Sequence, residues 1–151
     1  MQEAVHKINE LSEKLNKVLS EMPNARRELH EEIKDLLKKE VDANIDASLS
    51  DFHGKIKNWQ EAEVGSGGGY AAVRAKKGET GDDSPGAITN YLEGGHKIRT
   101  PSGKNKYYKP RIKKVYVDGF HFYAKTRQTI EAKVISIAED FADDIIRSLD
   151  L

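Results

Sequence analysis

Apolar residues recur at steps of three and four over both ends of this 151-residue chain, and that spacing restricts both ends to amphipathic helices. From Glu3 to Met22 the apolar positions are Val5, Ile8, Leu11, Leu15, Val18, Leu19 and Met22. Pro23-Asn24 reads as a break, and from about Ala25 the pattern resumes with Leu29, Ile33, Leu36, Leu37, Val41, Ile45 and Leu49. Glu28, Glu31, Glu32, Lys34, Lys38 and Lys39 cover the outer face of this second helix. The two helices either pair as an antiparallel hairpin, or the second packs on a sheet while the first projects. A last helix is expected from about Phe122 to Ser148, with Ile130, Val134, Ile137, Phe141, Ile145 and Leu149 as its stripe and Glu139, Asp140, Asp143 and Asp144 facing out. Core packing is the commoner use of such stripes, and contact between subunits is the alternative.

The middle of the chain changes period. Ile56 to Val64 and Tyr70 to Ala75 read as two strands joined by Gly65-Ser66-Gly67-Gly68-Gly69, where glycine supplies the positive φ of the connection. Trp59, the only tryptophan, is assigned to the core, with a partner anchor as the alternative. Lys76 to Asp83 is polar and reads as a loop. Ser84 then caps a short helix with Pro85 at its first position, Ile88, Tyr91 and Leu92 share a face, and Gly94-Gly95 ends it. Pro101, Gly103 and Pro110 keep the following stretch irregular, Lys113 to Val117 alternates as one strand with Val115 and Val117 on one side, and Asp118-Gly119 marks a turn or helix entry. The expected fold class is α+β: long amphipathic helices at both ends packed on a small antiparallel sheet, with a long basic loop. A chain of this length is expected to form a single domain, 1–151, with a helical region at 1–50, a β-rich region with the short helix and basic loop at 51–118, and a C-terminal helix at 119–151.

The formal net charge is zero, and it hides a segregation. Lys97, Arg99, Lys104, Lys106, Lys109, Arg111, Lys113 and Lys114 follow one another without an intervening acid, while the N-terminal third and the last helix carry more acid than base. Such a segment suits a polyanion or an acidic protein face, or is simply a solvated loop. Tyr107, Tyr108 and Tyr116 interleave with the basic residues, so phosphate neutralisation and base stacking are open to it, but no nucleic-acid-binding motif accompanies the patch. The chain has no cysteine, no apolar run near the roughly 20 residues that span a bilayer, and no signal-peptide pattern at Met1–Lys7. Synthesis and retention in the cytosol of a host cell are expected, with no membrane partner.

No catalytic constellation is legible. His6 and His30 lie in helices without ligand spacing, and His53, His96 and His121 are scattered, with no Cys and no paired acid beside them. Asp82-Asp83 and Asp143-Asp144 read as a loop and a solvated helix face, and no serine stands in a nucleophile elbow. Neither the glycine cluster nor Ser102-Gly103-Lys104 has the context of a phosphate-binding loop. The chain is not expected to be an enzyme, nor to carry a metal or cofactor.

An ordered set of motifs carries a family resemblance. It consists of Trp59-Gln60-Glu61, Val64-Gly65-Ser66, Gly69-Tyr70-Ala71-Ala72-Val73-Arg74, Gly86-Ala87-Ile88-Thr89-Asn90-Tyr91-Leu92-Glu93 with Gly95-His96-Lys97-Ile98-Arg99, and Gly119-Phe120-His121-Phe122-Tyr123. Together they resemble the small tail-completion, or head–tail joining, proteins of long-tailed bacteriophages and prophages, over about Asp51 to Ile146. Gly94 stands where relatives often have a larger polar residue. The resemblance implies a structural virion component without catalytic residues. Its members act as a ring, expected to be hexameric, at the head-proximal end of the tail, assembled in the host cytoplasm. Partners are then other tail and connector proteins and further copies of the chain, with a monomer as the alternative state in isolation and non-specific contact with DNA as an added role. Under this reading the loop from Gly94 to Lys114 is disordered or loosely held in the monomer and becomes ordered on docking, or lines the DNA channel. Trp59, Tyr70, Asn90, Tyr91, Leu92, His96, Phe120, Phe122 and Tyr123 are the structural motif positions, with Tyr91, Leu92, Phe120, Phe122 and Tyr123 assigned to packing. The competing readings are a non-specific nucleic-acid-binding module built on the 97–114 segment and a helical adaptor.

Overall fold

The computed structural model describes residues 2–50, 54–98 and 115–149. It is α+β, with a long N-terminal helix, a long C-terminal helix and small antiparallel ladders between them. Helix α1 runs unbroken over Gln2–Ser48, so the expected break at Pro23-Asn24 does not occur. An interior proline removes one hydrogen bond and crowds the carbonyl four residues earlier, at a cost of about 3 kcal/mol. Here both flanks are rich in Leu, Glu, Lys, Arg and Ala, which favour helix. Same-face ion pairs add support: Lys34–Glu31 at 2.5 Å and Lys38–Asp42 at 2.5 Å. At 1.5 Å per residue α1 is about 70 Å long.

Helix α4, Phe122–Ser148, lies antiparallel beside it. Near the start of α4 the Asn44 amide donates to the Thr126 hydroxyl at 3.0 Å, and further along Lys133 pairs with Glu40 at 2.5 Å. At its far end Ser148 shares a hollow with Met22 and Val18. The first turns of α1 therefore extend beyond α4.

Helix α2, Lys55–Asn58, precedes strand β1, Gln60–Val64, which pairs antiparallel with β2, Ala71–Ala75, in the register Gln60↔Ala75 to Val64↔Ala71. The first strand thus begins four residues later than expected, because the segment from Lys55 winds into a helical turn. Trp59 ends that turn half-buried, with the Lys55 ammonium 5.0 Å from its ring, rather than in the core. The hairpin tip docks on α1, where Arg26 donates to the Gly67 carbonyl at 3.0 Å. Tyr70 precedes β2 and is 54% exposed.

Helix α3, Pro85–Gly94, starts as its sequence dictates: the Ser84 hydroxyl accepts from the Ala87 amide at 3.3 Å, with Pro85 following. Its buried face is turned from the expected one. Pro85 and Thr89 are buried, whereas Tyr91 is 38% exposed and Asn90 faces outward. The reason is polar: the Thr89 hydroxyl accepts from the Gln60 amide at 3.3 Å, which turns Tyr91 to the surface.

Strands β3, His96–Lys97, and β4, Tyr116–Val117, form a second ladder, and among the described residues it does not pair with the hairpin, so two two-stranded ladders stand there in place of the single sheet. Of the strand expected over Lys113–Val117, the described part forms ladder pairs at Tyr116 and Val117, while Val115 is 74% exposed and joins the facing limb through its carbonyl alone. The basic-loop assignment at Arg99, Lys104, Lys106, Lys109, Arg111, Lys113 and Lys114 lies outside the described residues, as do Tyr107 and Tyr108.

The core sits at one end. Val41, Ile45 and Phe122 are fully buried, with Leu49, Ile56, Val73, Leu92 and Tyr123 packed on them. At the opposite end Ile8, Leu11, Leu15 and Leu19 are 66%, 40%, 42% and 67% exposed. Among the described residues no helix is long and apolar enough to cross a membrane.

Candidate functional site

The motif segments around Gln60, from Leu92 to Ile98 and from Gly119 to Tyr123 meet where α3 ends and α4 begins. Gly95 closes α3 with φ 76, and its amide donates to the Tyr91 carbonyl at 2.9 Å. The chain passes through β3, returns through β4 and reaches Gly119, whose Cα lies directly against the α3 terminus. A side chain at Gly119 would lie 2.7 Å from the Glu93 carbonyl carbon and from the Gly95 amide nitrogen, and still closer to the Glu93 oxygen. This contact allows the Phe120 amide to donate to the Leu92 carbonyl at 2.7 Å and the His121 amide to donate to the Glu93 carbonyl at 3.2 Å.

His121 adopts the left-handed conformation, φ 54, and its side chain does not cap α4. Glu93 does. One carboxylate oxygen accepts from the Tyr123 amide at 3.0 Å and the other from the Ala124 amide at 3.1 Å. A negative charge there satisfies two of the free amides of the first turn and meets the positive end of the helix dipole. Tyr123 reaches the other way and donates its hydroxyl proton to the Gln60 side-chain oxygen. Burial, with the charge of Glu93 adding to it, pushes the Tyr123 hydroxyl up to about 12. Gln60 in turn donates to the Ile56 carbonyl at 3.1 Å and to Thr89. One hydrogen-bonded chain therefore ties β1, α3 and α4 around the buried Phe122 ring, whose centroid is 4.7 Å from that of Tyr123.

The junction also holds the stem of the basic segment. His96 pairs with Val117 and Lys97 with Tyr116, and the Ile98 amide donates to the Val115 carbonyl at 2.9 Å. The Tyr116 hydroxyl donates to the Gly94 carbonyl at 2.7 Å. The His96 ring lies 5.3 Å from that of Tyr91. Lys97 is exposed, and beside it a hollow of about 570 Å³ is lined by Asp82, Asp83, Ile88, Tyr91, His96 and Lys97.

Of the structural motif positions, Leu92, Phe122 and Tyr123 belong to the packed junction. Phe120 is 38% exposed and departs from its expected packing role, as Tyr91 does; its backbone amide is held by the Leu92 carbonyl while its ring lies at the surface. Gln60 and Glu93 hold the junction together; the sequence placed both within the motif set but gave neither a structural role. Glu93 had a signal: an acid in the last turn of a helix opposes that helix's own dipole, which points to a second helix as its partner. Among the described residues, no group of three or more His, Cys, Asp or Glu side chains is gathered to hold a metal ion. No family model, curated protein or solved structure matches the chain.

Proposed function

We propose that this chain is a structural, non-catalytic subunit of a long-tailed bacteriophage particle, working in a ring at the head-proximal end of the tail, where it joins the tail to the DNA-filled head. The reading rests on the ordered motif set, and one observation supports it above the others. The motif segments around Gln60, Glu93, Gly95, Gly119 and Tyr123 interlock into one rigid junction that holds both ends of the basic segment. A ring subunit needs a stiff body that presents segments to its neighbours and to an axial partner, and this arrangement supplies one. Its partners are then other tail and connector proteins, further copies of itself in a ring of six, and the passing DNA as a non-specific contact of the basic segment. Assembly takes place in the host cytoplasm, without a cofactor.

Deletion of the gene from its parent phage, followed by electron microscopy, tests this. Accumulation of DNA-filled heads beside unattached tails is the expected result, and infectious particles formed without the protein overturn it. Charge reversal at Lys104, Lys106 and Lys109 is expected to block joining while leaving the subunit folded.

A further inference from the structure

An open groove runs between α1 and α4. Two adjoining hollows of about 280 and 150 Å³ form it and share Phe141 and Asp144. Its floor is apolar and only half-buried, with Met22, Ala25 and Leu29 on α1 and Ile137, Phe141 and Ile145 on α4. Its rims are acidic and exposed: Glu21, Glu28 and Glu32 on α1, Asp140 and Asp144 on α4. None of the described residues lining the two hollows is basic. Farther along α1, Glu40 and Asp42 are matched by Lys133 and Lys38. On the rims Asp144 has Arg147 at 3.2 Å, but among the described residues Glu21, Glu28, Glu32 and Asp140 have no ion-pair partner. Other cations flank the acidic stretch rather than enter it. Lys17 stands one turn before Glu21, and beyond Glu32 a wider hollow of about 460 Å³ is bordered by Lys39 and Lys133.

Charge decides what such a groove accepts. A second copy laid on it groove to groove would set acid against acid, and like charges across a closing interface oppose association. The occupant is therefore cationic, with apolar side chains for the floor. The chain contains one such stretch. From Lys97 to Lys114 eight Lys and Arg residues follow without an acid, and Tyr107, Tyr108 and Ile112 lie among them. Elsewhere at most three basic residues succeed one another before an acid. The lengths agree as well. Glu21 to Glu32 covers about 16 Å of helix, which an extended chain spans in about five residues, the separation of Lys104 from Lys109.

Reach places the segment in the groove of another copy. Asp140 and Asp144 stand about 27 and 33 Å along α4 from Phe122. The segment is held at both ends by the bond between the Ile98 amide and the Val115 carbonyl. Even drawn straight out and back, its tip extends about 27 Å, so it cannot lie along its own rims. We infer that the acidic groove between α1 and α4 takes the basic segment of a second copy of this chain, each copy being both donor and acceptor. The pairing rests on charge and length alone and holds whether or not the chain belongs to a phage particle.

Sedimentation velocity of the full-length chain, over a range of concentrations at low salt, tests it with three triple variants. E21K/E28K/D140K reverses the rims, and K104E/K106E/K109E reverses the segment. E13K/E79K/E131K makes the same change of charge at exposed acids away from the groove. The wild type is expected to associate, and to come apart as salt is raised. Each of the first two variants weakens association at least about tenfold, while the third associates as wild type does. An equimolar mixture of the first two restores association, because each groove again meets a segment of opposite sign. An unchanged helical circular-dichroism signal and melting temperature certify folding. A wild type that stays monomeric, a rim or segment variant no weaker than the third variant, or a mixture that fails to recover association each overturns the inference.

Discussion

Replacing Gly119 by Ala tests whether the α3–α4 junction is as tightly closed as the structure has it. The new methyl group would stand 2.7 Å from the Glu93 carbonyl carbon and from the Gly95 amide nitrogen, where ordinary contact begins at 3.4 Å. Both neighbours are backbone, so no side chain can swing aside, and the two segments must part by about 0.7 Å or more, an overpacking change that costs roughly 1–3 kcal/mol. Parting them also stretches the bonds from Phe120 to Leu92, at 2.7 Å, and from His121 to Glu93, at 3.2 Å. Each bond is worth about 1 kcal/mol. The expected loss is therefore about 2–5 kcal/mol, a large share of the roughly 5–15 kcal/mol that stabilises a typical domain. Urea unfolding followed by far-ultraviolet circular dichroism and by Trp59 fluorescence measures it. Gly86→Ala is the control: it lies within α3 with nothing within 4 Å of its added methyl, and it should gain about 0.5–1 kcal/mol from helix propensity. A G119A protein within about 0.5 kcal/mol of wild type would refute the close approach.

Further predictions concern the same junction. Phe122→Ala removes a fully buried ring from the core and should cost about 3–5 kcal/mol in the same urea assay. Glu93→Ala uncaps α4 and should cost about 1–2 kcal/mol, whereas Glu93→Gln, which keeps one acceptor, should lose less; a Glu93→Ala protein as stable as wild type would show that the carboxylate does not cap the helix. The Tyr123 hydroxyl lies above its ordinary value of 10.0, at about 12, because burial disfavours the phenolate. A raised pKa gives a contribution that is fully present below the unfolded value and fades as pH climbs through the folded one. Wild-type stability should therefore fall between about pH 10 and pH 12 more steeply than that of Tyr123→Phe, and parallel pH profiles of the urea midpoint would contradict the assignment.

How far the sequence could be read depended on how local each determinant was. The start of α3 at Ser84-Pro85, its stop at Gly94-Gly95 and the span of α4 were legible because caps and periodicity act within a few residues. The continuity of α1 was not, since the penalty at Pro23 is local while the support that outweighs it is spread over the whole helix. The junction was hidden for a different reason. Glu93 meets Tyr123 across 30 residues and Tyr123 meets Gln60 across 63, and nothing in the spacing of either residue announces so distant a partner. Periodicity likewise revealed an apolar face on the first turns of α1 without revealing that α4 would stop short of it.

The two-residue ladder between His96–Lys97 and Tyr116–Val117 has a mechanical consequence. Both limbs of the basic segment are anchored side by side, one continuous with α3 and the other leading into α4, so a load applied to the segment reaches both helices at once.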